Sequence, residues 1–324
     1  MVKLVHRIVV SKAKMISPPT IHQIGSTASR LLSQPDFHGE IIASVRGAIY
    51  LRGESDEVVW LSDPNSSMHT RNIQLSTPLL EVPVGTAFSV HENRLHLGNS
   101  LSLELSEAAV WNDPQLDQDR KPSLGKINQE LKHLLPRFSK DMGNKGFGVL
   151  ITDILKIPNS DTNPSGQPFP DAFLVRSAPI VNNVLTILRQ GRFEVLFESM
   201  VPLVGLGAGL TPSGDDFLGG LLFTLHNLAA LFPREIPLEK SRLDEFIADA
   251  KSRTHLISWT LLRDLSHGNG IEPVHVLVNH LFSTHSTPDL LDALHNLTSM
   301  GHSTGSDLLM GILAGLQAGS DFVP

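Results

Sequence analysis

Residues Gly205–Gly220 read GLGAGLTPSGDDFLGG, and the organisation of the chain follows from how that stretch is understood. Gly205, Gly207 and Gly209 alternate ahead of Thr211-Pro212-Ser213-Gly214-Asp215-Asp216, and an apolar run extends from Phe217 to Phe232. The pattern predicts a flexible loop running into the N-terminus of a buried helix. Ser213 suits the N-cap, and Asp216 three residues on makes an S-x-x-D capping box. Glycines before a helix start let a ligand approach bare backbone N–H groups, and the helix end adds partial positive charge. That geometry suits phosphate or carboxylate. Spacing excludes two familiar loops: a dinucleotide fingerprint would place its third glycine on Leu210, and a P-loop would need Lys and Ser/Thr where Asp215 and Asp216 stand. The two carboxylates reverse the local charge. An anion here needs backbone amides, arginines or a divalent cation to balance them.

A second stretch echoes the first. Gly301–Leu316 reads GHSTGSDLLMGILAGL, and Gly214, Asp216, Leu218 and Gly220 correspond to Gly305, Asp307, Leu309 and Gly311. Thr304 with Asp307 repeats the cap pattern. The echo predicts two buried helices with their N-termini facing one site. A plainer reading takes both as well-capped core helices, since a capping box already accounts for each acid. Gly311, Gly315 and Gly319 share one helical face and predict close packing against the helix that carries Gly219 and Gly220.

Composition sets the outer limits. A chain of 324 residues has room for about two domains. The absence of cysteine excludes disulfides, thiolate catalysis and zinc–thiolate sites, and it permits a reducing cytoplasm. The net charge of −7 is uneven: from Val201 onward 6 Lys/Arg face 13 Asp/Glu. That balance disfavours nucleic acid, whose binding rests on cations. The N-terminus lacks the apolar segment of a signal peptide. Phe217–Phe232 falls short of the roughly 20 residues of a membrane span and reads as a core helix.

The expected class is α+β, a small antiparallel β-barrel or sandwich over 1–115 followed by an all-helical domain over 116–324. Short alternating runs such as EIIASVRGAIYL, EVVWL, TAFSV, RLHLG and SLELSEAAVW carry the first part. A short helix falls within 20–32, and His38, His69, His91 and His96 sit at loop-like places; nothing in this half looks chemical. Beyond it, Leu124–Lys140 shows a helical stripe, Gly146–Ile157 is ambiguous, and 158–170 is a four-proline loop. Helices are predicted near 177–190, 192–203, 215–231, 241–266, 272–283, 288–299 and 305–318. Ser241–Asp244 reads as another capping box. Thr254 and Ser258 share a face of the long helix and either bond back to the i−4 carbonyl or line a polar pocket. His275, His280 and His285 are five apart and do not share a face, which argues against a metal triad.

Three blocks together, Gly205–Gly220, then Thr254/Ser258 with Gly268, then Gly301–Gly311, resemble a bacterial family long described as a domain of unknown function. That family includes the AllH-type subunit of oxamate carbamoyltransferase. Its pattern GLGPGLTPSGDD is kept here except that Ala208 replaces the proline. The resemblance covers most of the helical half. It implies a role in purine ureide (allantoin) breakdown, in which oxalurate and phosphate give oxamate and carbamoyl phosphate. It also implies partner subunits, one similar to acyl-CoA synthetases. Acyl transfer to phosphate needs a bound anion and a stabilised oxyanion. The backbone at Gly207, Gly209, Gly214 and Gly305 would serve the anion, and Asp215 and Asp216 a divalent cation such as Mg²⁺ or a substrate amide. Asp307 joins them as the second acid. Thr211, Ser213, Thr254, Ser258, Ser303 and His302 would offer hydrogen bonds, and Arg253 or Arg263 would clamp a carboxylate. No Ser-His-Asp order supports a covalent intermediate. Two other classes stay open: a non-catalytic ligand-binding or assembly subunit, and a stand-alone metal-dependent hydrolase or phosphotransferase.

Overall fold

The computed structural model describes residues 19–99, 101–116, 145–151, 172–282 and 287–318. The expected stripe over 124–140, the loop over 158–170, His285 and Gly319 lie outside the described residues.

Strands come first. They are β1 (Ile21–Gly25), β2 (His38–Val45), β3 (Ala48–Gly53), β4 (Val58–Ser62), β5 (Asn72–Leu75), β6 (Ala87–His91), β7 (Arg94–Leu97), β8 (Leu101–Glu104) and β9 (Ala109–Trp111), with helix α1 (Ser26–Leu32) after β1. They form one curled nine-stranded sheet in the order β8-β7-β6-β2-β3-β4-β5-β1-β9, giving the α+β layout that the alternation predicts. Pairing is antiparallel except for β1 with β9 and β4 with β5. Between β6 and β7, Glu92 and Asn93 both hold positive φ, 47° and 61°, the two-residue turn whose twist matches a hairpin. Ile49, Leu51, Val59 and Leu61 enter a core with Ile24, Leu31 and Leu95.

Two strands escape the sequence pattern, β1 and β5. In β5, buried Asn72 and Gln74 alternate with the core residues Ile73 and Leu75, but the run is only four residues long. Their side-chain N–H groups donate to the carbonyls of Ser67 at 3.2 Å and Ser66 at 2.6 Å. The histidines also depart from expectation. His38, His91 and His96 lie in strands, and His69 is buried, its ring 4.9 Å from that of Trp60.

The helical half follows: α2 (Ala172–Arg189), α3 (Leu196–Met200), α4 (Ser213–Leu231), α5 (Lys240–Ala250), α6 (Leu256–Ser266), α7 (Glu272–Leu281), α8 (Thr287–Thr298) and α9 (Thr304–Gly315). Gly146–Leu150, the start of the ambiguous segment, forms a 3-10 turn, and 152–157 lie outside the described residues. The predicted helix over 241–266 is two helices, α5 and α6, because the turn between them is held elsewhere: Thr254 donates its hydroxyl to Asp215. No capping box forms at Ser241. Glu239 is the N-cap, Ser241 bonds Glu239 at 3.0 Å, and Asp244 faces His267 at 3.2 Å. No helix among the described residues is long and apolar enough to cross a membrane.

Helices α4 and α9 are apolar on nearly every side and bury themselves in one core with α2, α6, α7 and α8. They cross where neither has a side chain. A Cβ on Gly311 would stand 1.9 Å from the carbonyl oxygen of Phe217, and one on Gly220 2.1 Å from that of Leu308. Gly315 faces Thr224 on the same contact, as the shared glycine face predicts, whereas Gly219 packs on Leu265 of α6.

The two halves are clasped by charge. Arg71, immediately before β5, makes a two-point pair with Asp264 of α6 and reaches Glu57 at 2.7 Å. Arg263 reaches the same Glu57 at 3.3 Å, and the Met68 and Glu272 backbones are joined at 2.8 Å. Arg71 and Asp264 are nearly enclosed, so removing one partner leaves the other desolvated and unpaired.

Gly311→Ala tests the crossing. Its methyl has no space without moving the α4 backbone, so urea unfolding should show a loss of about 1–3 kcal/mol or more. An unchanged midpoint and slope would mean the helices are not in this contact.

Candidate functional site

The crossing of α4 and α9 brings their N-termini together. Thr211 and Thr304 hydroxyls lie 3.3 Å apart, and those of Ser213 and Ser303 lie 3.5 Å apart, so four hydroxyls bridge two segments about ninety positions apart in sequence. The two motifs are also built alike. Gly214 backs onto the carbonyl of Leu203 and Gly305 onto that of Leu297, each too closely for a side chain. The corresponding acids are both buried, Asp216 at 6% exposure and Asp307 at 0%.

Neither acid caps its helix. Ser213 and Thr304 are the first helical residues, the N-caps are Pro212 and Ser303, and neither cap makes a side-chain hydrogen bond. The predicted capping boxes are therefore absent. This removes the plain explanation for two buried carboxylates. Proline at the cap position is the reason at the first helix: it fixes the chain's entry and has no hydroxyl to offer.

The carboxylates reach across to each other's helix instead. Burial pushes Asp216 well above the ordinary carboxylate value, the nearby charge of Asp307 adds to it, and the hydroxyls of Thr304 and Thr211 draw it partly back. Burial pushes Asp307 up to about 6, against hydrogen bonds from the Phe147 amide, Ser213 and Ser303. Each acid thus answers to the opposite helix's first hydroxyl. The Phe147 N–H donates to Asp307 Oδ1 at 2.7 Å, and a side chain at Gly146 would occupy that carboxylate. One oxygen of each acid, Oδ2, is buried and has no hydrogen-bond partner among the described residues. Two unpartnered buried oxygens in one place call for a proton, a cation or a ligand donor.

Asp215 does something else. Its Oδ1 accepts the Gly205 N–H at 2.7 Å, and its Oδ2 accepts the hydroxyls of Thr254 and, at 2.6 Å, Ser258. So Asp215 spends its acceptor capacity on fixing the glycine loop to α6. Thr254 and Ser258 serve that anchor; they neither bond back along their helix nor line an open pocket.

The remaining predicted residues divide. Gly207 and Gly209 lie on the exposed loop with positive φ. The Gly214 amide is already committed to the Leu206 carbonyl at 2.8 Å. His302 is exposed beside Ser303. Arg253 pairs with Asp249 at 2.7 Å on the surface, and Arg263 lies over Trp259 and reaches Glu57, so neither arginine is turned to the aspartate pair. Asp215 and Asp216 do not form a two-carboxylate cation site, because Asp215 is taken; the acids that meet are Asp216 and Asp307. Among the described residues no group of three His, Asp or Glu side chains is arranged to hold a metal ion. Sequence reasoning missed Phe147, whose amide holds Asp307. The glycines on either side of it are the signal that could have drawn attention there.

The family model described as oxamate carbamoyltransferase subunit AllH matches residues 203–316, from the turn before the glycine loop to the end of α9. This is the family that the three motifs resemble, and the match takes in every aspartate discussed above. No solved structure matches the chain.

The raised carboxyls set a pH dependence. In the unfolded chain both acids ionise near their ordinary 3.8, whereas the fold holds their protons to higher pH. The folded state therefore binds more protons, and stability falls as pH rises from about 4 through Asp307's value near 6. Asp307→Asn keeps the acceptor for Phe147 but cannot ionise. Its urea midpoint should gain on the native protein as pH climbs from 4 to 6 and then run parallel. Parallel curves throughout that window would contradict the burial of a titrating Asp307.

Proposed function

We propose that this chain is a subunit of a carbamoyltransferase-type complex of the oxamate carbamoyltransferase kind, with the Asp216–Asp307 pair as its reacting site. The observation that carries this reading is the pair itself: two corresponding acids, buried without caps, each with an unpartnered oxygen, inside the segment matched by the AllH family. The substrate is oxalurate and the acceptor is phosphate, as the family resemblance implies. The purine ureide (allantoin) setting and the partner subunits, including one similar to acyl-CoA synthetases, belong to the same proposal.

The chemistry needs one proton moved and one bond exchanged. An oxygen of hydrogen phosphate attacks the carbamoyl carbon, the bond from that carbon to the oxamate nitrogen breaks, and carbamoyl phosphate and oxamate separate. The phosphate loses its proton and the departing nitrogen gains one. A pair of acids sharing a single proton near neutral pH can do both tasks. Asp307, with a value near 6, accepts from phosphate, and Asp216, held protonated by burial and by its neighbour, donates to the nitrogen. Passage of the proton from Asp307 back to Asp216 restores the pair. The hydroxyls of Thr211, Ser213, Ser303 and Thr304 and the amides of Gly207 and Gly209 hold the anionic groups, with the start of α4 adding its dipole. Asp215 is a positioning residue that fixes the loop carrying those amides.

The two free oxygens favour a second reading, in which a divalent cation such as Mg²⁺ joins Asp216 and Asp307. Two carboxylates and hydroxyls are a sparse oxygen set, so such an ion would take its other ligands from water and substrate phosphate, as magnesium commonly does. That version includes a metal-dependent hydrolase or phosphotransferase.

Phosphate-dependent carbamoyl release from oxalurate, measured with the chain alone and with its partner subunits, tests the proposal. Asp216→Asn and Asp307→Asn should each lower kcat by about 10²-fold or more while melting at or above the native temperature. Full activity in both variants would leave a non-catalytic subunit. EDTA separates the two versions: unchanged kcat fits the proton pair, and a loss restored by Mg²⁺ fits the cation.

A further inference from the structure

The 3-10 turn Gly146–Leu150 is fixed to both acid-bearing helices. Phe147 is fully buried, with its ring 5.3 Å from that of Phe217, the residue after Asp216 on α4, and 5.1 Å from that of Phe173 on α2. Its N–H holds Asp307 of α9 at 2.7 Å. Gly146, at φ 50°, lies so close that a Cβ there would stand 2.2 Å from Asp307 Oδ1 and 2.8 Å from Oδ2. The contact forbids a side chain at 146, and the first one upstream belongs to Lys145.

Lys145 is fixed at its backbone and free at its tip. Its carbonyl accepts the Gly148 N–H at 3.0 Å, which closes the turn. Consecutive Cα atoms are about 3.8 Å apart, which puts the Lys145 Cα within about 8 Å of the Asp307 carboxylate. A four-carbon stem ending in an ammonium spans most of that gap. The side chain is exposed, and among the described residues its ammonium pairs with no carboxylate. In this it differs from Arg253 and Arg263, which Asp249 and Glu57 hold elsewhere.

We propose that Lys145 binds the phosphate co-substrate at the Asp307 end of the aspartate site. The assignment rests on Asp216 and Asp307 being the reacting pair, and it brings a cation to a site built from acids, hydroxyls and amides. In that chemistry the phosphate gives its proton to Asp307, so it lies at the end of the pair that the turn covers. The oxamate nitrogen takes its proton from Asp216 and lies at the other end. Lysine is a compact point charge with three donors, suited to a phosphate arriving from solvent. Asp307 Oδ1 already accepts the Phe147 N–H, which leaves the ammonium for the incoming anion.

Lys145→Gln removes the charge from an exposed position, so the melting temperature should be unchanged. In the assembled complex KM for phosphate should rise about 10- to 100-fold, the loss expected for one charge-assisted hydrogen bond, with KM for oxalurate near the native value. Lys145→Arg should recover part of the loss. An unchanged KM for phosphate, or an equal rise for both substrates, would overturn the assignment. The reacting pair fails separately: full activity in Asp216→Asn and Asp307→Asn sinks the pair, while inactive acid variants beside native phosphate kinetics in Lys145→Gln sink only the role of Lys145. A second measurement needs no turnover. Acetic anhydride modifies exposed lysines, and peptide mass spectrometry reads each site. In the complex, inorganic phosphate should slow acetylation of Lys145 several-fold and leave Lys251, which pairs with Asp56, unchanged. Equal rates at Lys145 with and without phosphate would contradict the proposal.

Discussion

Everything that distinguishes this molecule rests on backbone meeting backbone where α4 crosses α9. At Gly220 and Gly311 a methyl group would fall within about the length of a covalent bond or two of the opposing carbonyl oxygen. Protein interiors are close-packed and transmit such constraints along rigid helices. The crossing therefore fixes where the two helices begin, and with that it fixes Asp216 and Asp307 as neighbours. The flanking glycines Gly214 and Gly305 repeat the device against the preceding segments, so each acid-bearing turn is held from two directions.

The electrostatic consequence is unusual for the anion site proposed above. The usual means of holding an anion is a cation, yet the two arginines expected to clamp one are engaged elsewhere: Arg253 with Asp249, Arg263 with Glu57 and Trp259. What faces the acid pair is a set of hydroxyls, backbone amides and helix ends. Burial raises both carboxyls, and a neutral carboxylic acid is a donor where a carboxylate would repel. Two acids in one enclosed place can thus tolerate an anionic guest by retaining protons. The price of this arrangement is a native state that loses stability as those protons leave. Asp215, one residue from Asp216, has a different environment, with three donors to its carboxylate.

Much of this was legible from residues. The two motifs, their correspondence and the glycine face of α9 were readable because close helix crossing leaves a small-residue signature at helical spacing, and Gly311 and Gly315 meet α4 as that spacing implies. The antiparallel runs were readable through their alternation. Other features depend on tertiary contacts that leave no local trace. Pro212 takes the cap position that Ser213 seemed to want, so the acids could not be separated from capping boxes by pattern alone. The break between α5 and α6 follows from Thr254 reaching Asp215, a partner 39 residues away. Strand β5 was hidden because it offers only two apolar residues, Ile73 and Leu75, in a run of four. Arg71 belongs to no motif and His69 reads as a loop residue; their burial depends on the docking of the two halves.

The most direct test of the central claim is a carboxyl-carbon NMR titration of protein labelled with ¹³C at aspartate, comparing the native chain with Asp307→Asn. The two helix starts, if they share one pocket, make Asp216 feel the charge of its counterpart. Its midpoint should lie well above the ordinary carboxylate value in the native chain and move down once Asp307 can no longer ionise. An Asp216 resonance that titrates in the ordinary range, or one that ignores the substitution, would show that the acids do not face each other.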